Sequence, residues 1–233
     1  MAKTSQDEII AAARYLFRTR GYAGTSIGDV ADAVGLRKAS IYSRFDSKLD
    51  LARAAVALTA GEFALPDDLP ADLHADWRAG FAQVMRAHAD RLADARRCLG
   101  LHLLYDETLP DEIRHDIAGF FAALRDGFEK VAAPSGIARE LAQEAVSVLE
   151  GGLLWLILDD DRAPLDRMIA RFCADLPAPA DELRDLLRHY GIDPARATGR
   201  ELRLATALAA AEGENITLRG ALAGQAEAES CFR

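Results

Sequence analysis

Over most of the chain the apolar positions recur every three or four residues, the period of an α-helix with one buried side. Ile9, Ala13, Leu16 and Phe17 mark the first such segment, predicted over about 6–19. Ser5 and Glu8 precede it at the spacing of a capping box, and Gly21 can end it. Ser26 and Asp29 open a short second helix that stops at Gly35. A third follows over about 38–44, and Ser47 and Asp50 start a fourth that runs to about Phe63. Further helices are predicted over about 72–93, 95–107, 110–131, 138–158 and 164–175, separated near Pro110, Pro134, Gly136 and Pro164. Pro177 and Pro179 mark a linker, followed by a short helix over 181–189 and a last helical tract. In that tract Leu204, Leu208, Ala211, Asn215, Leu218 and Leu222 fall at heptad spacing, with Gly213, Gly220 and Gly224 against it.

Composition agrees with this pattern. Half of the residues are hydrophobic and only 7% are aromatic. Ala and Leu dominate the apolar set, and both favour helix over strand. The expected fold is all-α. It divides into a three-helix head over 1–48, a larger helical body over 49–180 and a helical extension over 181–233.

The net charge of −9 argues against a general nucleic-acid-coating protein. Its distribution changes the picture. Residues 1–50 hold eight Lys or Arg against six acids, so the acidity lies in the rest of the chain. Between Ala33 and Phe45 there are three basic residues and no acid. The head is therefore the expected contact face for DNA. Cys98, Cys173 and Cys231 are odd in number and far apart, which suits neither a disulfide framework nor a zinc finger. No metal site or cofactor is expected. The start of the chain has no signal-peptide pattern, and the longest apolar run, Leu153–Leu158, is too short to span a membrane. A cytoplasmic protein is expected.

Three short helices with a tight turn before the third form a helix-turn-helix pattern. Ile27, Val30, Ala31, Val34, Leu36 and Ile41 are spaced to pack two crossed helices, and Gly35 can take the positive φ of the turn. That leaves Arg37, Lys38, Ser40, Tyr42, Ser43 and Arg44 toward the outside. Cations and hydroxyls there suit phosphates and base edges.

The stretch from Phe17 to Lys48, including Gly21-Tyr22, Thr25-Ser26-Ile27, Asp29-Val30-Ala31, Gly35-Leu36, Ser40-Ile41-Tyr42 and Phe45, resembles the DNA-binding signature of TetR-family repressors. The resemblance covers about residues 8–55. It implies an all-helical homodimer with DNA heads on one side, a ligand-binding body behind them, and release of a palindromic operator by a small-molecule inducer. It places Thr25 and Ser26 near phosphate, Lys38, Ser40 and Tyr42 at DNA, and Lys48 on the backbone. Arg37 stands where the family often has a Ser or Thr cap, and Ala39 where it often has Gly. Arg37, Ser43 and Arg44 are candidates for sequence choice; Lys38, Tyr42 and Lys48 are candidates for phosphate anchoring.

The body carries weaker signals. Trp77, Phe81, Met85, Cys98, His102, Tyr105, Phe121, Leu124 and Phe128 either line an apolar ligand cavity or fill the core. Cys98 follows Arg96-Arg97, and nearby cations favour the reactive thiolate. Cys98-Leu-Gly100-Leu, Thr108-Leu-Pro110 and Phe120-Phe121 also resemble a TetR subgroup that responds to electrophiles or unsaturated acyl compounds. A Cys98 sensor and an inert buried thiol both stay open. Val146, Leu149, Leu153, Leu156 and Ile157, beside Gly151 and Gly152, are the expected dimer face, which the resemblance pairs across a two-fold axis. Two other functions are weighed: a DNA-binding adaptor without an inducer, and a helical small-molecule enzyme. The second has no nucleotide-binding glycine loop and no nucleophile–base constellation behind it.

Overall fold

The computed structural model describes residues 4–66, 68–70, 73, 76–178 and 182–210. Within them every regular element is helical: α1 (Gln6–Arg20), α2 (Ile27–Ala33), α3 (Lys38–Tyr42), α4 (Lys48–Phe63), α5 (Trp77–Ala95), α6 (Leu99–Leu104), α7 (Asp111–Ala132), α8 (Ala138–Asp159), α9 (Ala163–Ala174), α10 (Arg184–His189) and α11 (Gly199–Ala210). The fold is all-α.

The head helices begin where their caps predict. Glu8 N–H donates to Ser5 Oγ at 3.1 Å, and Ser5 N–H returns a bond to the Glu8 carboxylate at 2.7 Å. Ser26 and Asp29 repeat the arrangement at α2, and Ser47 accepts from Asp50 N–H at α4. Arg37 gives α3 no side-chain cap. The helix expected over 95–107 is shorter, because Arg96 takes a left-handed conformation (φ 58°) that ends α5, and α6 starts only after Cys98.

Among the described residues, three groups of buried side chains hold the chain together. The first joins Ile9, Phe17, Ile41 and Leu51 of the head to Leu99, Leu103, Leu109, Ile113 and Ile117 of α6, α7 and the turn between them. The second is the body core, with Phe81, Met85, Phe128, Leu141, Leu149 and Leu165. The third is a small cluster of Leu183, Leu187, Leu202 and Ala205 that rests on Ile137 at the start of α8. An ion pair from Arg203 to Glu144 reinforces that seat. In α11 Leu202 and Ala205 are buried, whereas Leu204 and Leu208 of the expected heptad are half-buried; Ala211, Asn215, Leu218 and Leu222 lie outside the described residues.

Helices α8 and α9 approach closely at Gly152. A Cβ there would fall 3.1 Å from Leu165 Cα, so a side chain would push the pair apart. By length and composition α8 could cross a membrane, with a mean hydropathy of 1.5 over 18 residues. Its apolar residues face two ways. Leu141, Ala145, Leu149, Leu153 and Leu156 enter the body core, and Leu154, Trp155, Ile157 and Leu158 are exposed at its C-terminal end.

Candidate nucleic-acid interface

α2 and α3 cross through a turn centred on Gly35, whose φ of 66° lies in the left-handed region. Leu36 N–H closes the turn on the Ala31 carbonyl at 2.8 Å. Ile27, Val30, Ala31 and Ile41 are buried between the helices, and Phe45 is buried below them. With Ile41 held inside, the helical period turns Arg37, Lys38, Tyr42 and Ser43 outward, and all four are exposed. Tyr42 keeps 52% of its surface, a large value for an aromatic ring. Lys38 lies across Gly28, where an added Cβ would fall 2.6 Å from Lys38 Cε.

Other expected contact residues are already engaged. The Thr25 hydroxyl is buried and donates to the Gly21 carbonyl at 2.9 Å, so it closes the α1–α2 loop and is not free to reach phosphate. Ser26 is exposed but caps α2. Its hydroxyl donates to the Asp29 carboxylate, and that bond holds Asp29 below the usual carboxylate range. Ser40 is half-buried, and the Ser43 hydroxyl, though exposed, donates to the Ser40 carbonyl at 2.9 Å and must leave it to reach a base. Arg44 donates from Nη1 to the Thr4 carbonyl at 2.8 Å, which ties the chain start to the end of α3. Lys48 Nζ donates to the Tyr22 carbonyl at 3.0 Å and sits 4.0 Å from the centre of the Tyr22 ring. An ammonium group has three protons, so two remain for an anion.

The body grips this head through Asp106, which the sequence reading did not single out. Its carboxylate accepts from Ala23 N–H at 2.9 Å and from the Thr108 hydroxyl at 2.6 Å. Those bonds, Thr108 first, keep it ionised below its ordinary range. Residues 9–55, which span α1 to the middle of α4, match the model of the bacterial regulatory proteins of the tetR family.

Residues 9–55 thus form a TetR-family DNA-binding head.

Over 43 residues it is 49% identical to the biofilm operon negative transcriptional regulator IcaR of Staphylococcus aureus, a match that covers 18% of this chain and 23% of that one. The chain thus spans about a quarter of the length of that curated relative. A TetR transcriptional regulator from Legionella pneumophila has a similar fold, with a TM-score of 0.63 at 23% identity, over 76% of this chain and all of that one. The regulator FadR of Bacillus subtilis, in complex with stearoyl-CoA, gives a TM-score of 0.60 at 18% identity, over 74% and 97% of the two chains.

Behind this TetR-type head the expected pocket residues separate. Trp77, Phe81, Met85, Leu124 and Phe128 fill the body core, with the Phe81 and Phe128 rings 5.2 Å apart. Phe121 is half-buried at the junction of the head and body cores. Cys98, His102 and Tyr105 do come together, along a cavity of about 300 Å³ between α6 and α8. Glu150 lines the same cavity and was not foreseen. Burial raises its carboxyl pKa, and one of its oxygens is buried without a partner.

Glu150 also reverses the electrostatics expected at Cys98. The thiol is buried, and burial together with the neighbouring Glu150 carboxylate pushes its pKa far up, away from the thiolate. Arg96 turns away to pair with Asp160, and Arg97 is exposed. Burial and the nearby Arg97 also lower the His102 pKa. Among the described residues no group of three metal ligands occurs.

The expected dimer face needs a similar correction. Leu149, Leu153 and Leu156 are buried inside the chain's own body, and Val146 is half-buried. Of that set Ile157 alone is exposed. Leu154, Trp155 and Leu158, not singled out from the sequence, stand exposed beside it.

Proposed function

We propose that this chain is a transcriptional repressor. It binds a palindromic operator as a homodimer and leaves it when a small molecule enters the body. The observation that carries this reading is the outer face of α3, where Arg37, Lys38, Tyr42 and Ser43 project from a helix held by Ile41 and Phe45. Arg37 and Ser43 then choose sequence, with Arg44 after release of its Thr4 bond. Lys38, Tyr42 and Lys48 hold phosphates. IcaR, a negative regulator, supports repression. FadR with its stearoyl-CoA supports a ligand in the body, and here the cavity between α6 and α8 is available for one. A second copy covers Leu154, Trp155, Ile157 and Leu158, and so sets two recognition helices about 34 Å apart on the duplex. The protein works in the cytoplasm, where its operator is, and the reading involves no catalytic step.

Selection of bound sequences from random duplex DNA tests the proposal. Enrichment of an inverted repeat is expected. Lys48→Ala should then weaken binding to all sequences and lower the salt slope by about one. Failure to enrich any sequence at modest ionic strength would overturn it.

A further inference from the structure

A second cavity, of about 280 Å³, lies where the head meets the body. Arg14 and Arg18 of α1 form its head side. Arg91 of α5 and Arg97 just after that helix form its body side. Phe63, Leu99 and Phe120 supply an apolar floor. Two carboxylates, Glu62 and Asp94, oppose the four arginines, and Glu62 is taken by Arg14 at 2.6 Å. Arg18 is half-buried, and among the described residues no hydrogen bond or ion pair to it is found. Burial, then repulsion from Arg14, lowers its pKa. An arginine that served only for solubility would extend into water. This one stays against an apolar floor beside Arg14, and the carboxylate that acts on it, Glu62, is already paired with Arg14.

We infer that this head–body cavity binds an amphipathic anion, a carboxylate or phosphate ester whose charge sits among Arg14, Arg18, Arg91 and Arg97 and whose short apolar part lies on Phe63 and Phe120. The guanidinium fork matches both headgroups. The cavity adjoins the one between α6 and α8 at Arg97 and Cys98, and the rest of the two linings differs. An anion held there joins α1 of the head to α5 of the body. Operator and anion affinities then change one another by the same factor. This coupling rests on the repressor reading, whereas binding of the anion does not.

The test is calorimetric titration of the full-length protein, without DNA, with octyl phosphate, octanoate and octylammonium below their micelle concentrations. One octyl phosphate or octanoate per chain is expected, with octylammonium at least tenfold weaker. Stronger binding of octyl phosphate would assign a phosphate ester, and stronger binding of octanoate a fatty acid. Arg18→Gln and Arg91→Gln should each weaken the anion at least tenfold with the thermal melt unchanged, and Arg167→Gln, on the exposed side of α9, should leave it alone. Arg91 is itself exposed, so its variant guards against a folding defect at Arg18. Binding that ignores charge, survives both cavity variants or is absent would overturn the inference. A chain that takes the anion but no duplex would remove the repressor reading and leave this site standing.

Discussion

Both ring nitrogens of His88 face carbonyl oxygens, Nδ1 that of Val84 at 3.0 Å and Nε2 that of Phe63 at 3.2 Å. A neutral imidazole has one N–H and satisfies one of them; the cation would satisfy both. Burial between Phe63 and Phe128 opposes the cation, as does Arg91, and the pKa falls to about 4. The unfolded chain titrates near 6.5, so between those values it binds a proton that the native state refuses. Stability is full above about pH 6.5 and declines as the pH falls toward 4, by about 3 kcal/mol in all. Urea unfolding at a series of pH values should show that loss, with a smaller one in His88→Gln; parallel curves would mean that the native imidazole protonates freely. Cys98 shows how a charge argument from adjacency fails at this scale. Arg96-Arg97-Cys98 is cationic along the chain, but in space Arg96 meets Asp160 and the thiol meets Glu150, 52 positions later. The signal available was Glu150 itself, a lone acid between Leu149 and Gly151-Gly152-Leu153.

Serine caps and proline or glycine breaks made most element starts legible: α7, α8 and α9 have no side-chain cap, yet begin within about one residue of the expected 110, 138 and 164. Ser5, Ser26 and Ser47 mark the starts of α1, α2 and α4, and the apolar spacing of Ile27, Val30 and Ile41 orients the helix-turn-helix correctly. The start of α6 was not legible, since it depends on a left-handed Arg96 with no glycine or proline to announce it. Nor could the sequence orient α8. With Leu149, Leu153 and Leu156 on one side and Leu154, Ile157 and Leu158 on another, the helix is apolar around most of its circumference, and periodicity does not say which stripe stays within the chain. The Gly152–Leu165 contact decides it by drawing α9 onto the first stripe. The second stripe, 46% exposed at Trp155 and 64% at Leu158, is then the proposed partner face. Trp155→Glu should leave the helical circular dichroism intact. It should weaken dimerisation by about 2–4 kcal/mol, roughly thirtyfold or more in dissociation constant, as loss of a central aromatic anchor does. Sedimentation across a concentration series measures this, and an unchanged profile would place the partner face elsewhere.

Across the whole molecule, the helix-turn-helix does not own its core. The motif is continuous in sequence, and a head over 1–48 is the natural division by pattern. In the structure the buried set that contains Ile9, Phe17 and Ile41 continues through Leu51, Ala55 and Val56 of α4 and then through Leu99, Leu103, Leu109, Ile113 and Ile117. The last five come from the far side of α5. The Asp106–Ala23 bond fastens the same junction from outside. Movement of α6 or of the start of α7 therefore acts directly on the side chains that seat the head, with no separate linker between them. Removing those five apolar side chains withdraws about 1.5–3 kcal/mol of burial each, roughly 10 kcal/mol together, comparable to the whole stability of a small domain. A fragment of residues 1–66 should therefore lack a cooperative thermal transition, with residual helix by circular dichroism but poorly dispersed amide resonances. The full chain should melt with head and body together, so that Leu103→Ala lowers the single midpoint and also raises hydrogen exchange at Ile41. A fragment that folds with the full chain's head spectrum would show that the head is autonomous, and a signal from the body would then have to reach it by some route other than this shared core.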